Sequence, residues 1–270
     1  MGPNESVEGV AMEAVLITGG GSGIGAATAA WLTARGSDVV VCGRREAALR
    51  RVAAATGCSW TVADCTDEGQ VGTAVEATVQ RFGRLTGVVA AAGTMTSGSV
   101  LDTTPEAWTA CLASNATSAF LTARAALPHL LATHGRLVLV SSIAALRSSS
   151  GSAAYAAAKA AVVSLGQAIA VECGPRGVRA NVVCPGWVRT DMADAEMDAF
   201  AADRDAGYAE VSALVPQRRP ADPTEVAAAI GWLLGLESSY VNGTVLTVDG
   251  GTTTVDAGTV PFDFRVAPRD

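Results

Sequence analysis

The sequence has little of what metal, disulfide and nucleic-acid sites require. Its 270 residues include two histidines and six cysteines, and no two cysteines form a C-x-x-C pair. We therefore expect no metal site and no disulfide framework, and we predict that the cysteines are buried, reduced thiols. The net charge of -7 argues against a nucleic-acid partner, because binding to phosphates needs clustered positive charge.

Long apolar runs and a leader-like start are also missing. No stretch of 18 or more apolar residues is free of a Gly-rich or polar interruption, and the first dozen residues lack a basic segment followed by an apolar core. We therefore expect a cytoplasmic protein without a membrane partner. With 49% hydrophobic and 17% charged residues, the length suits one compact domain that binds a small molecule.

Apolar runs of strand length alternate with Ala-rich helical stretches from Ala14 to about Val248. This alternation predicts an α/β fold, a doubly wound parallel β-sheet of about seven strands with helices on both faces, in a single domain. The predicted strands are residues 14–18, 38–42, 59–62, 87–90, 136–141, 179–183 and 244–248. The predicted helices lie near residues 25–35, 46–56, 67–82, 105–133, 152–173 and 223–236.

Composition assigns residues 13–254 to this domain, residues 1–12 to a flexible N-terminal extension and residues 255–270 to a C-terminal tail. Inside the domain, residues from about 186 to 220 are polar and irregular, and Gly186, Pro216 and Pro220 frame them. We expect this segment to form a mobile lid that contains one or two short helices.

A glycine-rich turn follows the first predicted strand and reads TGGGSGIG over residues 18–25. Glycine permits positive φ and close backbone approach, and the helix that follows offers free N–H groups and partial positive charge to a pyrophosphate. Such a turn alone can be purely structural, but the strand-turn-helix context favours a dinucleotide site. The expected contacts in this turn are Gly19, Ser22, Gly23, Ile24 and Gly25.

The second predicted strand ends at Gly43-Arg44-Arg45, where a dinucleotide fold places the group that meets the adenosine ribose. No carboxylate stands there before Glu46. A guanidinium suits planar, bidentate contact with a phosphate, so we predict NADP(H), held by Arg44, with NAD(H) as the alternative. The other interpretation is that one or both arginines simply lie in solvent at a helix start.

The chain contains one lysine, Lys159, among its 19 Lys and Arg residues, and Tyr155 stands four residues before it. This spacing places both side chains on one helix face. A free phenol has a pKa of about 10, and a neighbouring ammonium lowers it, so the pair is suited to acid–base work. Ser142 follows a predicted strand, where its hydroxyl can donate a hydrogen bond to a substrate carbonyl. Taken separately, Lys159 can be a chance surface lysine and Ser142 an ordinary end of a strand.

Together these residues resemble the classical short-chain dehydrogenase/reductases, in particular the 3-oxoacyl-ACP reductase-like members. Thr18-Gly19-x-x-x-Gly23-x-Gly25 matches the cofactor turn, Tyr155-x-x-x-Lys159 matches the active-site motif, and the resemblance spans Ala14 to about Gly251. It implies a Rossmann-type fold and a catalytic tetrad of Asn115, Ser142, Tyr155 and Lys159. The further cofactor contacts that it implies are Asp64, Cys65, Ala91, Gly93, Tyr155, Lys159, Pro185, Gly186, Val188 and Thr190.

One departure from the family pattern stands after the fourth predicted strand. The sequence reads Ala90-Ala91-Ala92-Gly93 where the family usually has Asn-Asn-Ala-Gly. A side-chain amide that ties the central sheet near the cofactor is therefore absent at Ala91. We expect an effect on local stability or cofactor affinity.

The resemblance implies reversible hydride transfer between a nicotinamide and a ketone or secondary alcohol. Tyr155 would be the general acid and base, Ser142 would orient the substrate oxygen, and Lys159 would lower the pKa of Tyr155 and hold the nicotinamide ribose, while Asn115 would fix a water. One alternative is a 3-oxoacyl-ACP or 3-oxoacyl-CoA reductase. Another is a catalytically weak, dinucleotide-binding regulatory protein.

The resemblance also indicates an apolar substrate pocket, although its residues can equally be ordinary packing. They are Met95, Ala144, Leu146, Trp187 and Met192. Long Ala-rich helices pack closely, and the family commonly assembles through such faces, so we expect a homotetramer, or alternatively a dimer.

Overall fold

Within residues 13–256 and 258, which the computed structural model describes, seven strands form one parallel sheet. They are β1 (Ala14–Thr18), β2 (Asp38–Gly43), β3 (Ser59–Val62), β4 (Gly87–Ala90), β5 (Arg136–Val140), β6 (Arg179–Pro185) and β7 (Val245–Val248). Their order is β3-β2-β1-β4-β5-β6-β7. In the register of β1 and β2, Ala14 pairs with Asp38 and Thr18 with Cys42.

Helices fill the connections between the strands. They are α1 (Gly23–Thr33), α2 (Glu46–Thr56), α3 (Glu68–Phe82), α4 (Pro105–Leu112), α5 (Ser118–Thr133), α6 (Ala153–Cys173), α7 (Asp191–Phe200), α8 (Arg204–Val211) and α9 (Pro223–Leu234). The predicted extension at 1–12, and residues 257 and 259–270 of the predicted tail, lie outside the described residues.

Two apolar clusters cover the two faces of the sheet, because successive side chains of a strand point to opposite faces. Val15 and Ile17 of β1 belong to the cluster that includes residues of α1 and α9. Leu16 belongs to the cluster that includes residues of α3, α5 and α6. The six cysteines are buried and free, as predicted.

The predicted fold class is confirmed, and the strands differ from the predicted ranges only at their ends. The helical stretch predicted over residues 105–133 is confirmed, and the prediction missed the π-helical turn, Ala113–Thr117, that lies within it between α4 and α5. Asn115 lies in this turn, and its amide donates to the carbonyls of Cys111 and Thr94, both at 3.0 Å. These bonds join the widened turn to the loop after β4, and π-turns of this kind occur often at functional sites.

The segment 186–220 contains two short helices, α7 and α8, which pack on each other. Arg204 at the start of α8 donates to Asp198 at 2.6 Å and to Asp194 at 3.1 Å. Tyr208 is buried and donates to Asp194 at 2.8 Å. These bonds hold α8 against α7.

The helix α6 with the turn that follows it, Ala153–Arg176, is long and apolar enough to cross a membrane by length and composition alone, and an 18-residue window of it has a mean hydropathy of 1.4. In the fold this helix packs on β6, and it buries Ala158, Val162 and Ile169. Packing inside the domain therefore explains its apolar character.

The packing of α6 on the sheet generates a stability prediction. A Cβ at Gly166 would overlap Val182 of β6 and lie 3.3 Å from Leu139 of β5. Since both neighbours are fully buried, we expect Gly166→Ala to lower the free energy of unfolding by about 1–3 kcal/mol. Urea denaturation measures the change.

Gly72→Ala in α3 is the matched control, because nothing lies within 4 Å of a Cβ at Gly72. It should raise the free energy of unfolding by about 0.5–1 kcal/mol, since alanine favours the helix. If both substitutions stabilise the protein, α6 does not pack on β6 as closely as described.

Candidate active site

A cavity of about 580 Å³ opens at the carboxyl edge of the sheet. The strand order reverses between β1 and β4, and in doubly wound sheets ligands bind at this switch point. The cavity runs from the glycine-rich turn after β1 and the end of β2 to the end of β5 and the helix α7. Its shape is suited to a long ligand with a second small molecule at one end.

The glycine-rich turn forms one wall of the cavity. Gly19 has φ +69°, and a Cβ there would lie only 2.7 Å from Ala91 O and Ala92 N. Ser22 makes no side-chain cap bond at the start of α1, so the N–H groups of the first turn have no side-chain partner there. The free N–H groups at the start of α1, beside a turn without side chains at Gly19, are suited to binding a pyrophosphate.

Ser142, Tyr155 and Lys159 come together at the other end of the cavity. Ser142 follows β5, its hydroxyl accepts from the Ala144 N–H at 3.2 Å, and it is near enough to the Tyr155 phenol to lower the pKa of that group. Tyr155 and Lys159 lie on one face of α6, and Nζ of Lys159 is 5.6 Å from the centre of the Tyr155 ring. Lys159 is 5% exposed and donates to Val140 O at 3.1 Å, so its ammonium has a fixed position.

Asn115 lies beside this group, in the π-helical turn. Its Oδ1 accepts from Thr94 N at 3.3 Å. A Cβ at Gly93 would lie 2.6 Å from Asn115 Oδ1 and 3.3 Å from Lys159 Nζ. Gly93 therefore leaves the space in which Asn115 and Lys159 approach each other. The structure thus brings together the four residues of the predicted tetrad.

Comparisons with known proteins agree with this geometry. A family model described as enoyl-(acyl carrier protein) reductase matches residues 19–253. Meso-2,3-butanediol dehydrogenase from Serratia marcescens is 34% identical over 240 residues, covering 88% of this chain and 93% of the relative. The chain belongs to the short-chain dehydrogenase/reductase family.

Solved structures show the same relationship. Levodione reductase superimposes with a TM-score of 0.87 at 32% identity, covering 90% of this chain and 98% of that chain. A variant of actinorhodin polyketide ketoreductase with NADPH superimposes with a TM-score of 0.86 at 29% identity, again covering 90% and 98%. This short-chain dehydrogenase/reductase is therefore an oxidoreductase with a nicotinamide dinucleotide cofactor, as the sequence predicted.

All of the predicted cofactor contacts line the cavity of this oxidoreductase. At the end of β2, Arg44 and Arg45 are exposed to it, and Arg45 donates to Ser22 Oγ at 2.9 Å. Asp64 accepts from the backbone N–H and the hydroxyl of Thr66, at 2.9 and 2.8 Å, and these bonds lower the pKa of Asp64. The guanidiniums of Arg44 and Arg45 are exposed cations in the cavity lining at the end of β2.

Burial dominates the protonation of the catalytic pair. Desolvation raises the pKa of Tyr155 to about 12, although the Ser142 hydroxyl acts in the opposite direction. Desolvation also lowers the pKa of Lys159 to about 8. Burial, and not the charge of Lys159, therefore sets the direction of the Tyr155 shift. At neutral pH the phenol is protonated and can donate.

The substrate end was only partly predicted. Met95, Ala144, Trp187 and Met192 line the cavity. Leu146 does not, because the 3₁₀ turn Ile143–Ala145 precedes it and its side chain packs against the core cluster on the α6 face.

Sequence reasoning missed the polar residues of this end, which include Arg147, Ser149 and Glu196. The signal for Glu196 was its place in the predicted lid, shortly after Thr190.

Thr18 provides the tie that the family's asparagine would make near Ala91. The backbone N–H of Ala91 donates to Thr18 O at 3.3 Å, and that of Ala92 to Thr18 Oγ1 at 3.4 Å. The Thr18 hydroxyl in turn bonds Val89 O at 3.5 Å. β1 and β4 are therefore joined here without a side-chain amide.

The close approach at Gly19 generates a binding prediction. Gly19→Ala places a Cβ against the Ala91 carbonyl and must displace the turn, so we expect NADPH binding to weaken by about 1–3 kcal/mol. The quench or enhancement of NADPH fluorescence measures the Kd.

Gly36→Ala is the control, because Gly36 also has positive φ, +84°, yet a Cβ there meets nothing within 4 Å. Both variants carry the same backbone strain of about 1 kcal/mol. Equal Kd values for the two variants would show that the contact at Gly19 does not shape the dinucleotide site.

Proposed function

We propose that this protein is an NADP(H)-dependent oxidoreductase that transfers hydride between the nicotinamide and a ketone or secondary alcohol. The observation that carries the proposal is the convergence of Ser142, Tyr155 and Lys159 at one end of a cavity whose other end holds the glycine-rich turn and Arg44. This arrangement supports a dinucleotide that extends along the sheet edge and a substrate carbonyl beside Tyr155.

The tetrad residues have separate roles in this proposal. The cofactor, when bound, supplies or accepts the hydride. Tyr155 donates a proton to the substrate oxygen in reduction, and its raised pKa keeps the phenol protonated at neutral pH. Ser142 orients that oxygen, since it lines the cavity beside Tyr155. Lys159, fixed against Val140 O, holds the ribose hydroxyls, and Asn115 positions a water next to it.

The preference for NADP(H) over NAD(H) rests on Arg44 and Arg45. Both are exposed at the end of β2, and no carboxylate precedes Glu46 there. Arg45 is already bonded to Ser22, which leaves Arg44 as the guanidinium for a ribose 2′-phosphate. The ketoreductase with NADPH is a structural neighbour, and this likeness supports the same choice.

A β-ketoacyl thioester on a carrier protein is the alternative substrate. An acidic carrier needs a basic docking face, and Arg179 is not available for it. This arginine is half-buried and donates to Val241 O at 3.1 Å and to Gly235 O at 2.9 Å. A free ketone or alcohol is therefore the better supported substrate.

A homotetramer, or alternatively a dimer, is part of the proposal. Trp108 of α4, Phe120 of α5 and Val171 of α6 expose apolar surface, with 40%, 46% and 77% of each residue accessible. Large apolar side chains in such positions support burial against another subunit.

Tyr155→Phe tests the assignment of the acid. The variant keeps the ring and loses the proton donor, so kcat for ketone reduction should fall by about 100-fold or more while the Kd for NADPH is unchanged. Steady-state kinetics with a panel of ketones and β-ketoesters gives kcat, and Tyr240→Phe, at a fully exposed tyrosine, is the control.

Near-normal turnover by Tyr155→Phe would refute the role of this residue. Tight NADPH binding without turnover of any ketone by the unsubstituted protein would instead favour the dinucleotide-binding regulatory alternative.

Arg44→Ala tests the choice of cofactor. Loss of a charge-assisted phosphate contact should lower kcat/KM with NADPH by about 10- to 100-fold and leave the value with NADH unchanged. Arg81→Ala, at an exposed arginine near the end of α3, is the control for lost positive charge. A higher kcat/KM with NADH in the unsubstituted protein would overturn the preference.

A further inference from the structure

The substrate end of the cavity contains a carboxylate that the tetrad does not use. Glu196 lies on α7 and lines the cavity with Trp187 and Met192. Its negative charge helps to raise the pKa of Tyr155. Glu196 and Tyr155 line the same cavity, so a substrate beside the phenol can also reach this carboxylate.

Glu196 differs from its acidic neighbours in the lid. Asp194 and Asp198 accept from Arg204, and Asp205 accepts from Arg189 at 2.8 Å. The carboxylate of Glu196 has no hydrogen bond or ion pair with any residue in the described part of the chain, although the residue is half-buried. Burial raises its pKa, and no positive charge acts in the opposite direction. Water or a ligand that enters the cavity must therefore solvate this charge.

The cations that line the cavity do not neutralise Glu196. Arg44 and Arg45 stand at the end of β2, and Lys159 is bonded to Val140 O. Arg147 donates to Leu146 O at 2.9 Å and to Thr253 O at 3.4 Å. The charge of Glu196 is therefore left for a molecule that enters the cavity.

We propose that Glu196 binds an ammonium group of the substrate, so that this enzyme acts on amino ketones and amino alcohols. The inference rests on the proposed function and names its substrate class. Asp191 adds a carboxylate to the same helix and cavity wall, and the Trp187 ring can face a cation. A neutral hydroxyl would not compensate the full charge, which is why we favour an ammonium over a polyol.

The reaction balances without a further reagent. In reduction, hydride passes from NADPH to the carbonyl carbon, the Tyr155 phenol gives its proton to the carbonyl oxygen, and the phenolate regains a proton from water. Oxidation runs the same steps in reverse, so the carbinol O–H proton passes to the phenolate form of Tyr155. The ammonium is unchanged and serves only for binding to Glu196.

Four alcohols that share the same reacting group, CH3–CH(OH)–CH2–, test the proposal. They are 1-amino-2-propanol, 2-butanol, 1,2-propanediol and 3-hydroxybutyrate, which present an ammonium, a methyl, a hydroxyl and a carboxylate on the same neighbouring carbon. At neutral pH the amine is protonated, and the first two are nearly isosteric. The measured quantity is the ratio of kcat/KM for 1-amino-2-propanol to kcat/KM for 2-butanol. A substitution that alters Tyr155 changes both values by the same factor, so this effect cancels in the ratio.

We expect this ratio to favour 1-amino-2-propanol and to fall by about 10- to 100-fold in Glu196→Gln, because the amide keeps the shape and loses the charge. Glu210→Gln, at an exposed carboxylate of α8 outside the cavity lining, should leave the ratio unchanged. The rate with 1,2-propanediol should change little, since an amide oxygen also accepts from a hydroxyl. A ratio that is the same in Glu196→Gln and in the unsubstituted protein would overturn the proposal.

A binding measurement separates this inference from the proposed function. The rise in Tm of the NADP⁺-loaded protein with 1-amino-2-propanol should exceed the rise with 2-butanol and disappear in Glu196→Gln. If that difference is found and no alcohol is oxidised, the ammonium site stands and the proposed function fails. If alcohols are oxidised but neither the Tm difference nor the ratio depends on Glu196, the proposed function stands and the ammonium site fails.

Discussion

The site depends on how closely the chain approaches itself between β1 and β4. These strands are neighbours in the sheet, and their connections leave on opposite faces, so a crevice opens between them. Gly19 borders this crevice, and a Cβ there would lie 2.7 Å from Ala91 O. Because Gly19 has no side chain, its backbone lies directly against the backbone of Ala91, and the start of α1 reaches the edge of the sheet where the cavity opens.

A second close approach holds the catalytic side chains. Gly166 lets α6 lie directly on Val182 of β6, and this packing fixes the part of the helix that carries Tyr155 and Lys159. Lys159 is then buried and bonded to Val140 O at the end of β5. Burial raises the pKa of Tyr155 and lowers that of Lys159, so the same packing that places the pair also controls its protonation.

Local sequence predicted the elements whose causes are local. The strands, the glycine-rich turn and the pairing of Tyr155 with Lys159 follow from apolar runs, turn residues and helical spacing. The π-helical turn after Leu112 does not, because Asn115 is held there by Thr94, which is 21 residues earlier in the sequence. Leu146 was wrongly placed in the pocket for a similar reason, since a short 3₁₀ turn and the core around α6 decide where its side chain lies.

The amino-acid sequence by itself determined the family, the order of strands and helices, and the residue types available for chemistry, since motifs and periodicity are properties of neighbouring residues. Only the tertiary structure decided which charges are compensated. Asp194, Asp198 and Glu196 look alike in the lid sequence, yet Arg204 binds the first two and leaves Glu196 to the cavity. Charge compensation depends on distance and burial, which sequence separation does not specify.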